Sequence, residues 1–271
     1  MNISEWQQQA VADLAKIGTN PQLEVRLMLA DVLGMNQSEL ITNSDLQISA
    51  NQLVTLNAYL DQRVKERKPL AYILGTKGFL DFDVIVNESV LIPRPETERI
   101  VETVVEIVQK QNINTVYELG TGSGVISIAI SRQCPGVKIV ASDISQEALA
   151  IARQNVSEFD LGNKIELIQS DLGSHIDHAD LIVANLPYLP EGLEVEKELT
   201  EEPQIALWSG IDGLDHYKRM MSITFNTAVI ELGENQYQAF NDFLQSNYPE
   251  YKTTPIQGVD GTIVGMVITK D

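Results

Sequence analysis

The sequence predicts an α/β protein: a mostly parallel seven-stranded sheet covered by helices, preceded by a small helical domain. Three observations predict it. From residue 114 onward, short Val- and Ile-rich runs alternate with stretches of helical periodicity, the pattern of parallel strands joined by crossover helices. The first 75 residues carry helical spacing alone. A glycine-rich turn, GTGSG at 120–124, joins the first of the alternating strands directly to a helix.

Taken in order, Ser4 is positioned to cap a helix that runs to about Ile17 and turns Trp6, Val11 and Leu14 inward. Leu23, Leu27, Ala30 and Leu33 mark a second helix ending at Gly34. Leu53, Leu56, Leu60 and Val64 stripe a third over 50–68, which Pro69 ends. These helices make a first domain over residues 1–74. Residues 75–90, with Phe79, Phe82, Val84, Ile85 and Val86, read as a linking hairpin. The sheet domain then occupies 91–271. Its first helix presents Ile100, Val101, Val104, Val105 and Val108 on one face. Strands are expected at 115–119, 138–143, 164–171, 180–185 and 227–232, with helices at 125–132, 146–156 and near 213–225, then a last helix and two strands. Ligands of such sheets bind at the carboxyl ends of the strands.

Composition narrows the function. A formal charge of −19 disfavours a general nucleic-acid binder, because phosphate contacts come from clustered Lys and Arg. It suits a basic protein partner. Cys134 is the single cysteine, which excludes an intrachain disulfide and reads as a small apolar filler. The N-terminal stretch MNISEWQQQAVADL lacks a basic start followed by an apolar run, and no apolar stretch of about 18 residues occurs. A cytoplasmic protein with no membrane contact is therefore expected. Arg63, Lys65, Arg67 and Lys68 read as a solvated helix end, His175 and His178 as loop residues without a metal-ligand frame, and His216 as a helix-surface residue. No metal is expected.

The turn of Gly120, Thr121, Gly122, Ser123 and Gly124 allows close backbone approach to a ligand, and the helix it opens offers free amides to an anion. Asp143 ends the next strand, where a carboxylate can accept from both hydroxyls of a ribose; it also disfavours a 2′-phosphate. Dinucleotide proteins space their glycines G-x-G-x-x-G, whereas here Glu118 opens an E-x-G-x-G-x-G pattern. That pattern resembles motif I of the Rossmann-like class I methyltransferases, which use S-adenosylmethionine and release S-adenosylhomocysteine. The resemblance implies that Gly122 and Gly124 make room for the methionine portion, that Asp171 meets the adenine amino group and that Leu172 packs beside the ring.

ANLPYL at 184–189 follows the fourth strand. The Asn185 oxygen can accept from a substrate NH2, Pro187 brings no competing N–H, and Tyr188 can lie against a planar group. An exocyclic amine or a carboxamide is a poor nucleophile, its lone pair being delocalised. Two acceptors aimed at its hydrogens favour a pyramidal nitrogen and expose the lone pair to a methyl donor.

The NH2 group could belong to adenine or to glutamine. The N-L-P-Y spelling is similar to that of the rRNA adenine dimethylases. Against RNA stand the helical domain's position ahead of the cofactor motif and the acids Glu191, Glu194, Glu196, Glu198, Glu201 and Glu202 after Tyr188. LIPRPETE (91–98) and EPQIALWSGIDGLDHY (202–217) strongly resemble the HemK/PrmC family of N5-glutamine methyltransferases, as do PLAYILG (69–75) and GFLDFDVIV (78–86). The resemblance spans nearly the whole chain. It implies methylation of the glutamine in the Gly-Gly-Gln loop of peptide chain release factors, which are the implied partners. It implies cofactor contacts from Glu118, Gly120–Gly124, Asp143, Asp171, Leu172 and Asn185. Substrate contacts would come from Asn185, Leu186, Pro187 and Tyr188, with Arg94, Pro95 and Glu96 at the pocket mouth. The chain departs from the family at Leu186, which replaces the usual Pro, at Asn226–Thr227, where a Pro-Gly-Gly turn is missing, and in DGTIVGMV (260–267), where an Arg is expected. An rRNA or DNA adenine-N6 methyltransferase and a non-catalytic adaptor that keeps the fold are the alternatives.

Overall fold

The computed structural model describes residues 1–18 and 20–270. They divide into two compact units, one of residues 1–75 with 196–201 and one of 76–195 with 202–270.

The helical unit contains α1 (Ile3–Leu14), α2 (Pro21–Leu33), α3 (Gln37–Thr42), α4 (Ala50–Asp61) and α5 (Leu70–Leu74). Asn2 caps α1, not Ser4. Its Oδ1 accepts from the Glu5 N–H at 2.8 Å while the Glu5 carboxylate accepts from the Asn2 N–H at 2.9 Å, a reciprocal box that starts the helix before Ser4. On α2, two apolar stripes compete. The expected one is wrong in phase: Leu23 and Leu27 are exposed, whereas Val25, Met28 and Leu29 are buried with Trp6, Leu14 and Leu56. The short helices α3 and α5 carry too few turns to show periodicity and were not expected.

The third expected helix stops at Asp61 and continues as a π-turn, Gln62–Glu66, which Arg67 ends at φ 64°. Arg63, expected at a solvated end, is only 5% exposed. Its Nε and Nη2 donate to the Glu24 carboxylate at 2.9 and 3.2 Å, and its Nη1 donates to Glu198 Oε1 at 3.1 Å. Arg67 Nη2 reaches the same Glu198 oxygen at 2.8 Å. A planar guanidinium can satisfy two carboxylates at once, which is what makes its burial tolerable. Glu198 is thereby paired within the helical unit and is not a free negative charge.

The second unit begins with an antiparallel hairpin, β1 (Thr76–Phe79) and β2 (Phe82–Ile85). It continues as α6 (Glu96–Gln111), β3 (Thr115–Leu119), α7 (Val125–Gln133), β4 (Lys138–Asp143), α8 (Gln146–Glu158), β5 (Ile165–Gln169), β6 (His178–Ala184), α9 (Asp215–Met220), β7 (Thr224–Glu231), α10 (Gln236–Asn247), β8 (Tyr251–Gln257) and β9 (Ile263–Lys270). The sheet has seven strands in the order β5-β4-β3-β6-β7-β9-β8. The pairs from β5 to β7 are parallel, and β9 runs antiparallel to both of its neighbours. The chain builds outward from β3 to β5, then returns to the other side of β3 as β6. The crevice beyond the β3 and β6 ends is therefore the switch point of the sheet.

Two expected boundaries shift. Residues 224–225 were assigned to the end of a helix, but Thr224 and Phe225 pair with His178 and Ala179, so both β6 and β7 start earlier. The helix α9 shrinks accordingly. The face of α6 is as read: Ile100, Val101, Val104, Val105 and Val108 are all buried. Beside β7, a second cluster joins Leu119, Ile182, Tyr217, Phe225 and Phe240. No helix among the described residues is long and apolar enough to cross a membrane.

Asn155, on α8 and 1% exposed, joins the hairpin to the glycine turn. Its Oδ1 accepts from Ile85 N–H at 2.7 Å, and its Nδ2 donates to Ile85 O at 2.9 Å and to Ser123 O at 2.8 Å. Asn155→Ala leaves three backbone groups unpaired. It is expected to destabilise the protein by roughly 2–4 kcal/mol, read as a lower urea midpoint with an unchanged m-value; a change below about 0.5 kcal/mol would mean that the clamp is dispensable.

Candidate active site

Register decides which residues share the sheet's edge. Leu119 pairs with Ser142 on one side and Ala184 on the other, Ser142 pairs with Ile168, and Ala184 pairs with Ile230. The next residue of each strand or turn is then Gly120, Asp143, Gln169, Asn185 or Glu231. Segments far apart in sequence are thereby aligned along one edge.

The glycine turn leaves β3 at Gly120, φ 71°. A side chain there would meet Leu186 Cδ2 at 3.0 Å, so the turn and the segment after β6 are in contact. At Gly124, φ 82°, the helix α7 starts against α8, and an added carbon would lie 3.4 Å from Ala152 Cβ. Glu118, expected among the cofactor contacts, turns away from the cleft lining and is 1% exposed. Its carboxylate accepts from Thr121 Oγ1 at 2.9 Å and from Ser127 Oγ, fastening the turn from beneath. Burial pushes its carboxyl up to about 7 against the Ser127 and Thr121 hydrogen bonds.

Asp143 accepts from the Gly122 N–H at 2.9 Å through Oδ2 and from the Ser145 N–H at 2.9 Å through Oδ1. Each oxygen keeps a further lone pair for a ligand hydroxyl. Its carboxyl is raised by burial, and the backbone amides oppose the rise.

Asp171 sits just past β5 and accepts from Arg219 Nη2 at 2.6 Å. Leu172 follows with φ 51°, a left-handed conformation costly for a branched side chain, and Ser142 Oγ donates to its carbonyl at 3.1 Å. His216, expected on a helix surface, instead lines the cleft, its Nδ1 2.7 Å from Ser209 Oγ. The turn before the short α9 swings it toward the sheet edge, which periodicity over six residues could not reveal.

Asn185 lines the cleft, and its Nδ2 is 3.1 Å from Thr97 Oγ1. Its Oδ1 is buried and has no hydrogen-bond partner. Thr97 Oγ1 in turn donates to Glu231 Oε2 at 2.6 Å. Burial is the main cause that brings the Glu231 carboxyl up to about 7; Thr97 opposes it, Glu96 adds to it, and Asn185 and Arg94 oppose it more weakly. The Leu186 N–H donates to the Tyr217 hydroxyl at 3.1 Å. That hydroxyl has one hydrogen, and its 2.5 Å contact to Glu231 O outcompetes the 3.4 Å contact to Leu186 O, leaving the Leu186 carbonyl with acceptor capacity. Pro187 lines the cleft. Tyr188 packs its ring against the β7-side core, and its carbonyl accepts from Gln236 Nε2 at 2.8 Å. Burial, then the nearby Glu231, pushes its phenol well above the ordinary range.

Arg94 also lines the cleft and is ion-paired with Glu202, whose other oxygen accepts from the Ile92 N–H at 3.0 Å. Glu202 is buried, so of the six acids expected as a repulsive run, Glu198 and Glu202 are committed to arginines. Glu191, Glu194, Glu196 and Glu201 are exposed. Pro95 and Glu96 begin α6 on the exposed side and lie outside the lining.

The cleft thus gathers Arg94, the 120–123 turn, Asp143, Asp171, Leu172 and 185–187 around about 1050 Å³ of space, open solvent included. It does not gather Pro95, Glu96, Glu118, Gly124 or Tyr188. Thr97, Tyr217, Arg219 and Glu231 escaped sequence reading, and His216 was read only as a helix-surface residue. Thr97 lies inside LIPRPETE and Glu231 ends TAVIEL, so their positions were visible although their partnership was not. Among the described residues no group of three or more His, Cys, Asp or Glu is arranged to hold a metal. A mixture of free acceptors, a carboxylate with spare lone pairs and an apolar turn fits a nucleoside bearing a small transferable group.

Comparison with known proteins agrees with this chemistry. Residues 5–75 match the family model of the PrmC N-terminal domain, and residues 98–205 match that of the methyltransferase small domain. The release factor glutamine methyltransferase of Caulobacter vibrioides is 37% identical over 233 residues, covering 81% of this chain and 79% of the relative. That of Coxiella burnetii is 31% identical over 255 residues, covering 91% of each. Among solved structures, the N-terminal domain of human METTL16 in complex with SAH superposes with a TM-score of 0.51 at 14% identity, over 88% of this chain and 90% of that one. The hMettl16 catalytic domain in complex with the MAT2A 3'UTR hairpin 6 gives 0.55 at 12% identity, over 83% and 86%. At such identities these two speak for the class I methyltransferase fold alone. With relatives at this identity over most of both chains, and with residues 5–75 and 98–205 matching their family models, the chain belongs to the release factor glutamine methyltransferase family.

Proposed function

We infer that the protein methylates the side-chain amide nitrogen, N5, of a glutamine in a peptide chain release factor, the glutamine of its Gly-Gly-Gln loop, with S-adenosylmethionine as donor. One observation carries the reading: a buried asparagine oxygen without a partner, in a cleft whose other wall is a glycine turn. An unpaired buried acceptor costs roughly 1–3 kcal/mol unless a ligand satisfies it. The names of the relatives, release factor glutamine methyltransferase, support the substrate.

The donor supplies an electrophilic methyl on a sulfonium. The chain's part is to hold both reactants. Asp143 receives the ribose hydroxyls on its spare lone pairs, and the 120–124 turn admits the methionine portion. Asp171 and Leu172 serve the adenine, for which Arg219 must yield its hold on Asp171. Asn185 Oδ1 and the Leu186 carbonyl accept hydrogen bonds from the two N–H groups of the carboxamide, so its lone pair leaves conjugation and faces the methyl; as the N–C bond forms the S–CH3 bond breaks, leaving S-adenosylhomocysteine, and the nitrogen sheds one proton to solvent. Pro187 contributes no competing N–H. Arg94 bounds the substrate side, and Pro95, Glu96, Glu118 and Tyr188 support the site from outside the lining. The exposed acids between 191 and 201 favour a protein substrate over a phosphate backbone, and direct nucleic-acid binding is not part of this reading.

Methylation assays with a release factor, its Gln→Ala variant and adenine-containing RNA test the reading; methyl transfer to RNA alone would sink it. Asn185→Ala is expected to lower kcat by about 100-fold or more, while calorimetric affinity for S-adenosylhomocysteine changes by less than about threefold. Asp143→Ala is expected to weaken that affinity by roughly 10- to 100-fold; an unchanged value would remove Asp143 from the site.

A further inference from the structure

The chemistry inferred for Asn185 depends on which end of its amide faces the substrate. An oxygen there accepts from the glutamine NH2; a nitrogen would set NH2 against NH2 and block the reaction. The two ends are nearly isosteric, so packing alone cannot choose between them.

We propose that Thr97 and Glu231 are positioning residues whose hydrogen-bond chain fixes Asn185 with its NH2 turned inward and its oxygen toward the methyl acceptor. The directions follow from hydrogen count. An ionised Glu231 carboxylate only accepts, so the single Thr97 hydrogen is committed to Glu231 Oε2 at 2.6 Å. Thr97 Oγ1 has only lone pairs left for Asn185, 3.1 Å away, and the asparagine must therefore present Nδ2 to it. Donation from the Asn185 amide also acts on Glu231 itself. Oδ1 is then the end left over, and it is the buried atom without a partner. The same residue steadies the second acceptor: the Glu231 carbonyl holds the Tyr217 hydroxyl, which receives the Leu186 N–H. Thr97 lines the cleft beside Asn185, whereas Glu231 and Tyr217 lie behind the lining and act through Thr97, Asn185 and Leu186.

The relay is reversible by one proton. A neutral Glu231 can donate to Thr97, and the Thr97 hydrogen is then free to go to the asparagine oxygen, turning the amide over. The charged and titratable groups around Glu231 are Glu96 and Arg94 at the start of α6, Tyr188 after β6 and Tyr217 on α9, with Glu202 beyond Arg94. Of these, Arg94 alone favours the ionised form, and Glu202 occupies it. With the Glu231 carboxyl at about 7, the competent orientation is present at higher pH and is lost as pH falls through neutrality.

The proposal rests on the reaction inferred above, and the test separates the two. Thr97→Val, which keeps shape but carries no hydroxyl, is expected to lose about 30-fold or more in kcat, with the KM for release factor and the affinity for S-adenosylhomocysteine within about threefold of wild type. Thr97→Ser restores the hydroxyl and is expected within about threefold of wild-type kcat. In the wild type kcat rises with pH through about 7; Glu231→Gln removes that limb whatever its plateau. Independently of turnover, the Asn185 side-chain NH2 resonance, assigned by its loss in Asn185→Ala, titrates in wild type and not in Glu231→Gln. A fully active Thr97→Val, an acid limb that survives Glu231→Gln, or an Asn185 resonance indifferent to both substitutions overturns the relay. A wild type that leaves release factor unmethylated sinks the functional reading instead, and the resonance still decides the relay.

Discussion

Parallel pairing obliges neighbouring strands to end on the same edge, and the exact register decides which residues meet there. Because Leu119 pairs with both Ser142 and Ala184, and Ala184 with Ile230, the backbone ladder alone aligns the glycine turn, Asp143, Asn185 and Glu231. A slip of one residue in β6 would turn Asn185 to the opposite face and dissolve the arrangement. The fully buried strand interiors hold that register, since Ile182, Val183 and Ala184 have no exposed alternative. The site's geometry is thus a consequence of apolar packing several residues away from it.

The edge also carries two acids whose ionised forms burial disfavours. Glu118 and Glu231 are almost fully buried, and burial brings both carboxyls up to about 7. Each is held by neutral hydroxyls instead of a cation. Hydroxyl partners leave a definite direction of donation, which a lysine or arginine, able only to donate, could not relay. Both folded-state values lie above ordinary carboxyl values, so the native state binds the extra protons, and stability declines as pH rises through this window. The Arg63 cluster of the helical unit follows the other solution: its charges are matched within the burial, and it offers no such relay.

Much of this was legible in the sequence, and the failures have physical causes. Alternating Val- and Ile-rich runs revealed the sheet, and the spacing of Glu118 to Gly124 with Asp143 pointed to the strand ends where the cleft lies. The apolar stripe of α2 was misread because two phases of leucine and valine coexist, and only packing against Trp6 and Leu56 selects one. Arg63 was misread because a π-turn leaves no mark in periodicity. Thr97 and Glu231 lie 134 positions apart, and a hydrogen bond across that separation has no sequence signature. Tyr188 and Glu118 carry the motif's spelling yet turn away from the cleft, because a motif records positions and not the faces they take.

The contact between Leu186 and Gly120 ties together the two stretches by which such chains are recognised. A side chain at 120 would crowd the leucine methyl at 3.0 Å, so neither position is free to drift while the other stays. The leucine that departs from the family spelling thus rests on the first glycine of the turn, 66 positions upstream, and the space it occupies exists because that glycine carries no side chain.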